Sequence, residues 1–184
     1  HPHLLMFGMN RRIKAIFDLY ELNLKTQKLK MVAQNPGNVI GWEVNHQLQL
    51  TGRMLSLLDH GATELETRVT PKSPWHVIKY YPFGTSGSVL GFTPNDQSLY
   101  LIDNLSSDTS TLKLIALKTG KTEKVIAHQA GWEIASLLRD PVSKQVEAVK
   151  YNRYRPKWVV LNPHFKADFT KLAEQHPKLD FAIG

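Results

Sequence analysis

A short pattern recurs along this chain and constrains its fold more than any other feature. Of ten aligned positions that begin at Leu24 and at Leu117, five are identical. Residues 39–47 share four identities with residues 89–97, and the Gly-Trp-Glu inside the first of these segments recurs at 131–133. The unit therefore occurs three times, at steps of fifty and forty residues. Repeats of about 40 to 45 residues are typical of the blades of β-propellers.

Each unit has the pattern of short strands, because helical periodicity is weak while two-residue alternation is clear. A Thr-Gly turn signal at residues 119–120 predicts a hairpin after the strand of residues 110–117. Apolar residues on both faces indicate a sheet that is packed on both sides, as stacked propeller blades are. In residues 110–117 one face carries Leu112, Leu114 and Ala116, and the other carries Lys113, Ile115 and Leu117.

We therefore predict an all-β fold: a partial β-propeller of antiparallel four-stranded blades, with one short helix near the C-terminus. The single domain spans residues 1–184, with about two complete blades and two partial ones. Asp168 is expected to cap the helix, whose apolar stripe is Phe169, Leu172 and Ala173. The predicted segments are a partial blade at 3–34, blades at 38–82 and 87–128, and a partial blade at 131–184 with the helix at about 168–176.

Composition narrows the classes of partner. The hydrophobic content of 42% is too high for a disordered chain. No apolar run approaches the roughly 18 residues that cross a bilayer, so we expect no membrane partner. The net charge of +7 comes from scattered residues; Lys150 to Trp158 is the nearest approach to a basic cluster. Cations among aromatics there can indicate nucleic-acid binding, but a strand edge with extended cationic side chains is favoured, and we expect no nucleic-acid partner.

The segment Gly91 to Ile126 resembles the blade pattern of the prolyl oligopeptidase family of serine peptidases. The first copy, Phe17 to Val32, resembles the same hairpin, although Thr26-Gln27 replaces its Thr-Gly. Residues 146–162 and the helix after them resemble bacterial members of the acylaminoacyl-peptidase and dipeptidyl-aminopeptidase branch. The matching positions in the clearest copy are Phe92-Thr93, Asn95-Asp96, Asp103-Asn104, Asp108, Leu112 and Thr119-Gly120.

The resemblance implies a function for the chain. In that family a propeller covers an α/β-hydrolase domain and restricts which peptides reach the catalytic serine. The chain opens directly on an apolar strand, and we expect a non-catalytic fragment of such a propeller, with a C-terminal α/β-hydrolase domain as its partner. Open blade faces would favour self-association. The alternative is a TolB-like propeller that binds proteins, because TolB-type propellers share the same blade pattern.

No segment has the pattern that a catalytic centre needs. The resembled family carries its serine in a Gly-x-Ser-x-Gly elbow, and no such pentapeptide occurs here. In the nearest segment, residues 84–88, Ser86 is followed directly by Gly87, and we interpret it as a flexible linker between blades. Cysteine is absent, which excludes thiol nucleophiles and thiolate metal sites. We predict no catalytic residue, no cofactor and no metal ligand in this chain.

The remaining candidates have structural interpretations. Glu64 and Glu66 lie two apart and face one side of a strand, where they could form salt bridges or meet a substrate amine; a solvated strand face is favoured. Asp103 and Asp108 are expected to cap turns. Stacking between blades is favoured for Trp42, Trp75, Trp132 and Trp158 over a ligand platform. The histidines lack metal-ligand spacing, although His1 and His3 could hold a metal loosely at the chain end; the others are His46, His60, His76, His128, His164 and His176.

Overall fold

The computed structural model of this chain describes residues 2–58, 61–181 and 183. Across these residues the chain forms four antiparallel sheets, and every strand pairs with a neighbour in sequence. The strands are β1 (Leu4–Ile13), β2 (Ile16–Asn23) and β3 (Leu29–Ala33) in sheet 1; β4 (Val39–Val44), β5 (Leu50–Leu57), β6 (Ala62–Thr67) and β7 (His76–Tyr81) in sheet 2; β8 (Gly87–Phe92), β9 (Ser98–Asp103), β10 (Thr111–Ala116) and β11 (Thr122–His128) in sheet 3; and β12 (Glu133–Arg139), β13 (Val146–Asn152) and β14 (Pro156–Val160) in sheet 4.

Two four-stranded sheets are thus flanked by two three-stranded ones. The first strands of sheets 2 and 3, β4 and β8, contact each other, and β4 also contacts β2. This convergence is typical of the inner strands of propeller blades. The predicted all-β fold, a partial β-propeller with one short C-terminal helix, is confirmed.

The core consists of apolar layers between successive sheets. Sheet 2 contributes Met54, Leu65 and Tyr81 to a layer that sheet 3 completes with Leu99 and Ile115. The opposite face of sheet 3 packs on sheet 4 through a second cluster. The predicted alternation in β10 is therefore correct, because Leu112 and Leu114 belong to the second cluster while Ile115 and Leu117 belong to the first.

The recurring asparagine of the repeat closes the hairpin between the first two strands of a sheet. The Asn45 side chain accepts hydrogen bonds from the backbone N–H groups of Gln47 and Gln49, and Asn95 accepts one from Gln97. Asp140 has the same role in sheet 4, where it accepts from two backbone N–H groups. These bonds hold its pKa below the usual value. The repeat therefore encodes a turn with a side-chain cap.

The Thr-Gly turn between β10 and β11 also has a packing role. Gly120 adopts φ +66°, and a Cβ placed on it would lie 2.6 Å from the Ile78 carbonyl oxygen of sheet 2. Gln27 takes the equivalent position in sheet 1 with φ +58°, and its side chain is exposed. The first copy therefore keeps the left-handed turn even though its glycine is lost. Glycine at position 120 is required by the close approach of the neighbouring sheet as well as by the backbone conformation.

An ion pair lies buried between sheets 2 and 3. Lys113 Nζ contacts Asp103 Oδ1 at 2.5 Å, and both side chains are almost fully buried. Asp103 does accept a turn bond from the Leu105 N–H, as expected, but its main partner is this lysine. Asp108 is exposed. The pair links the adjacent strands β9 and β10. It places two charged side chains inside an otherwise apolar layer.

The C-terminal segment packs on the outer face of sheet 4. A 3-10 turn, Pro163–Phe165, leads into helix α1, Lys166–Gln175. The expected cap at Asp168 is wrong: the helix begins earlier, so Asp168 lies in its first turn, and the Asn162 side chain caps the 3-10 turn. Phe169 is buried against Trp158 and Phe181. Within the described part of the chain, no helix is long and apolar enough to span a membrane.

Substitution of Gly120 by alanine tests the packing of its turn on sheet 2. The variant Gly120→Ala should lose about 2–4 kcal/mol of unfolding free energy, from left-handed strain and from the overlap with Ile78. Gly131→Ala is a matched control, because Gly131 has φ +72° and a Cβ there would meet no atom within 4 Å. It should lose only about 1–2 kcal/mol. Urea denaturation measures both, and equal losses would contradict a packing role.

Candidate functional site

The segment around Ser86 connects β7 to β8 and has no catalytic geometry. The Ser86 backbone N–H donates to Asn104 Oδ1 at 2.8 Å, and Thr85 closes a turn onto Pro82. The side chain of Ser86 is exposed, and no histidine or carboxylate among the described residues bonds its hydroxyl. Residues 82–86 thus connect sheets 2 and 3 as a turn that hydrogen bonds hold in place.

One histidine links two sheets. His46 Nδ1 lies 2.7 Å from Asp96 Oδ1, which joins the first hairpin of sheet 2 to the first hairpin of sheet 3. The two residues occupy equivalent positions in the repeat, fifty residues apart. His128 Nδ1 contacts the Thr111 hydroxyl at 3.1 Å. His1 and His60 lie outside the described residues, and within the described ranges no cluster of three metal-ligating side chains occurs.

A charged cleft of about 520 Å³ opens between sheets 1 and 2, and we call it the arginine cleft. Sheet 2 supplies Arg53, from the middle of β5, and Arg68 and Trp75, from the two ends of the β6–β7 loop. Sheet 1 supplies Glu21 and Lys30, which are cross-strand partners on β2 and β3. This inter-sheet surface therefore carries charged groups among apolar ones, unlike the apolar layer on the opposite face of sheet 2.

Both arginines stack on one aromatic ring. The Arg53 and Arg68 guanidinium carbons lie 4.5 and 4.2 Å from the centroid of the Trp75 ring. Arg53 Nε also donates to Glu66 at 2.6 Å, and both side chains are largely buried. The expectation that Glu66 lies on a solvated strand face is therefore wrong, because its side chain is only 14% exposed and pairs with Arg53. Glu64, on the same strand, is half-buried.

Arg68 differs from Arg53 in its partners. Its Nε donates to the Leu50 carbonyl oxygen at 2.9 Å, and no carboxylate of the described residues forms an ion pair with it. Burial, followed by the positive charge of Arg53, lowers the pKa of Arg68. The guanidinium remains charged at neutral pH, since arginine stays protonated in proteins. Arg53 is thus the cation of the cleft that has an ion-pair partner, whereas Arg68 is held by a carbonyl oxygen and an aromatic ring.

Glu43 is a second ionisable group that forms no ion pair among the described residues, on β4 near the inner side of the stack. It faces Gly52 across the strand pair, and a Cβ at residue 52 would lie 2.8 Å from the Glu43 Cβ. Glycine therefore provides the space for this side chain. Burial raises the pKa of Glu43 to about 7. A carboxyl group with this pKa changes its charge near neutral pH, so Glu43 is a pH-responsive group rather than a fixed charge.

The tryptophans have different environments. Trp42 Nε1 donates to the Phe17 carbonyl oxygen of sheet 1 at 3.0 Å, and Trp132 packs in the cluster between sheets 3 and 4. These two support stacking between blades. Trp158 instead packs against Phe169 of helix α1. Trp75 lies in the arginine cleft, where its ring contacts the guanidinium groups of Arg53 and Arg68.

The basic segment of residues 150–158 forms a strand edge and hairpin. Arg153 lies over the rings of Trp132 and Tyr154, and Arg155 pairs with Asp180 at 3.0 Å. Except for Arg153, these side chains border a groove of about 760 Å³ beneath helix α1. Their cationic groups are engaged in contacts within the chain, which fits the favoured interpretation of this segment as a strand edge.

Sequence reasoning missed the arginine cleft and Glu43. A signal existed for both: Arg53 is the one charge in the strand Leu-Thr-Gly-Arg-Met-Leu-Ser-Leu, and Glu43 is the one charge in Val-Ile-Gly-Trp-Glu-Val. A single charge inside an apolar strand requires a partner or a solvent-filled space. The sequence could not show that Arg68 and Trp75, from the next loop, complete the cleft.

The fold defines a β-propeller domain, and comparisons with known proteins agree with this class. No protein-family model matches the chain. It is 28% identical over 174 residues to dipeptidyl aminopeptidase BIII of Pseudoxanthomonas mexicana. The aligned region covers 94% of this chain and 25% of that protein. The chain therefore spans about a quarter of this relative. The crystal structure of TolB from Acinetobacter baumannii superposes with a TM-score of 0.52 and 10% identity, over 88% of this chain and 41% of TolB; this likeness concerns the fold alone.

The raised pKa of Glu43 predicts how stability depends on pH. The unfolded carboxyl group ionises near its ordinary pKa of 4.5, whereas the folded one keeps its proton until about pH 7. Stability should therefore fall as pH rises from about 4.5 to 7, by at most about 3 kcal/mol. Glu43→Gln should remove this fall, so that the variant gains on the wild type at pH 8 and not at pH 4.

Unfolding free energies at several pH values between 4 and 8 measure this difference. Glu174→Gln makes the same chemical change at an exposed position of helix α1 and controls for net charge. A Glu43→Gln profile parallel to that of the wild type would show that Glu43 is not desolvated.

Proposed function

We propose that this chain is the propeller part of a serine peptidase, where it controls which peptides reach a catalytic α/β-hydrolase domain. The observation that carries the proposal is the 28% identity to a dipeptidyl aminopeptidase along 94% of the chain. The likeness to TolB involves only 10% identity. The blade pattern around Asp96, Asp103 and Gly120 resembles that of the prolyl oligopeptidase family and also supports the proposed peptidase function.

The proposed division of labour follows from the residues of the chain. The connection that holds Ser86 is a surface turn, and the charged groups of the arginine cleft are suited to binding rather than to nucleophilic attack. In the proposal the catalytic serine lies on the hydrolase domain, and this chain supplies stacked blades that narrow the path to it. The class of substrate would be peptides with a free amino terminus, by analogy with the relative.

Expression of the complete reading frame that encodes this chain tests the proposal. The product should release dipeptides from dipeptidyl-p-nitroanilides, and N-acetylated versions of the same substrates should be poor. A serine-reactive fluorophosphonate should label a serine outside residues 1–184. Labelling at Ser86, or absence of hydrolysis from the full-length product, would contradict the proposal.

The gating role has its own measurement in the same full-length protein. A Cβ at Gly87 would overlap the Tyr81 ring, with the nearest atom at 2.2 Å, so Gly87→Ala should loosen sheet 2 from sheet 3. Hydrolysis of dipeptidyl chromogenic substrates should change little, while cleavage of long unfolded polypeptides should increase. An equal change for both substrate sizes would argue against gating by the blades.

A second candidate function is that of a TolB-like propeller that binds proteins. The favouring observation is the outer face of sheet 1, which no sheet of the described chain covers. Cross-strand rows of apolar side chains run across this face: Leu5, Leu22 and Leu29 in one row, and Phe7, Met31 and the buried Tyr20 in the next. Leu5 and Met31 are 48% and 44% exposed, which is unusual for aligned apolar rows on a sheet.

We propose that this face mediates self-association of the isolated chain, because a sheet with an open apolar face is stabilised by a second sheet. The weight-average mass from light scattering should rise with protein concentration. Leu5→Lys should reduce the rise, since it places a charge in the row. Val142→Lys, at an 86% exposed turn position, is the control and should have no effect. A monomeric wild type at high concentration would contradict this use of the face.

A further inference from the structure

The arginine cleft has an unbalanced charge that points to a ligand. Its cations are Lys30, Arg53 and Arg68, and the carboxylates beside them are Glu21 and Glu66. Glu66 bonds Arg53, Glu21 is the cross-strand neighbour of Lys30, and among the described residues no carboxylate forms an ion pair with Arg68. We propose that the arginine cleft binds a carboxylate, presented by a small organic acid or by an acidic group of a peptide, with Arg68 as its principal contact.

The geometry of Arg68 suits this ligand. The Nε–H of Arg68 donates to the Leu50 carbonyl oxygen. This hydrogen bond fixes the direction in which the terminal N–H groups of the guanidinium point. Stacking on Trp75 at 4.2 Å holds the guanidinium plane in place. A planar guanidinium with restricted rotation binds the two oxygens of a carboxylate in parallel, at a lower entropic cost than a flexible lysine.

Electrostatics favours an anion at this position. Two guanidinium groups share the Trp75 ring, and burial and the charge of Arg53 both lower the pKa of Arg68. A bound anion offsets the repulsion between the two guanidinium groups. It also compensates for the interaction with water that Arg68 loses on burial. The cleft is thus an incomplete ion network that one negative group would complete.

The charge balance selects a carboxylate over a phosphate. The lining has three cations and the carboxylate of Glu21, and Glu66 pairs with Arg53 from beside it, so one net positive charge is left, which a monoanion neutralises. A phosphate dianion would add a further negative charge beside Glu66. The walls include Trp42, Pro71 and Trp75, so an apolar body attached to the carboxylate has surface to pack on.

Binding by the purified chain is measured by titration calorimetry at constant ionic strength. The probes are sodium benzoate and an N-acetylated, C-amidated tetraglutamate peptide, and benzamide is the uncharged control. Binding of benzoate alone would assign the cleft to small organic acids, and binding of the peptide alone would assign it to acidic peptides. The proposal is wrong if neither probe binds, or if benzamide binds as tightly as benzoate.

Variants then locate the site. Arg68→Gln should weaken binding by at least about tenfold, because a charge-assisted pair is lost. Gln34→Glu, at an exposed position on the cleft wall, keeps Arg68 and should also weaken binding, because it supplies a competing carboxylate. Arg153→Gln removes an arginine that stacks on aromatic rings outside the cleft and should leave affinity unchanged. Unchanged affinity in both cleft variants would overturn the proposal.

This inference is independent of the proposed peptidase function. It is measured as ligand binding by the chain itself, so a failure of peptide hydrolysis in the full-length product leaves it standing. Conversely, a cleft that binds no carboxylate leaves the gating proposal unaffected. The folded state of each variant is checked by circular dichroism, and Gln34→Glu provides the test if Arg68→Gln loses its fold with the Leu50 contact.

Discussion

The structure depends on sheet 3 having apolar residues on both of its faces. Along β9, Leu99 and Leu101 point to sheet 2 while Tyr100 points to sheet 4, and Ile115 and Leu112 repeat this division on β10. A single sheet of this kind has no face that can be left to water, so it is stable only between two neighbours. The order of the sheets, the convergence of their first strands and the short connections between them all follow from this requirement.

Polar groups determine how the stacked sheets are aligned, since apolar layers alone tolerate sliding. Between sheets 2 and 3, Thr67 donates to the Leu117 carbonyl oxygen, and the Tyr81 ring occupies the space that a side chain at Gly87 would need. Between sheets 3 and 4, Glu133 accepts from Ser110, whose hydroxyl oxygen accepts from the Ile134 N–H. Each bond satisfies a group that burial would otherwise leave unpaired, so displacement of one sheet relative to the next carries a cost.

The sequence predicted the fold well because its repeat marks local chemistry. Asn45 and Asn95 cap equivalent hairpins, and the turns at Gln27 and Gly120 share one backbone conformation even though their residues differ. It predicted the candidate site poorly. The local sequence around Glu66 does not predict its partner, because Arg53 is thirteen residues away on another strand. Periodicity shows which face of a strand a residue occupies, but the neighbours of that face come from tertiary packing.

The same limit explains why the surface between sheets 1 and 2 differs from the other inter-sheet surfaces. Arg53 and Met54 are consecutive on β5, so two-residue alternation sends a charge to sheet 1 and an apolar side chain to sheet 3. Apolar layers exclude water and close, whereas a face with an arginine has to keep solvent, a counter-charge or a ligand beside it. One strand thereby closes the core on one side and holds the arginine cleft open on the other. A propeller blade can carry a binding surface on a face that would otherwise serve only for stacking, at the expense of apolar contact with its neighbour.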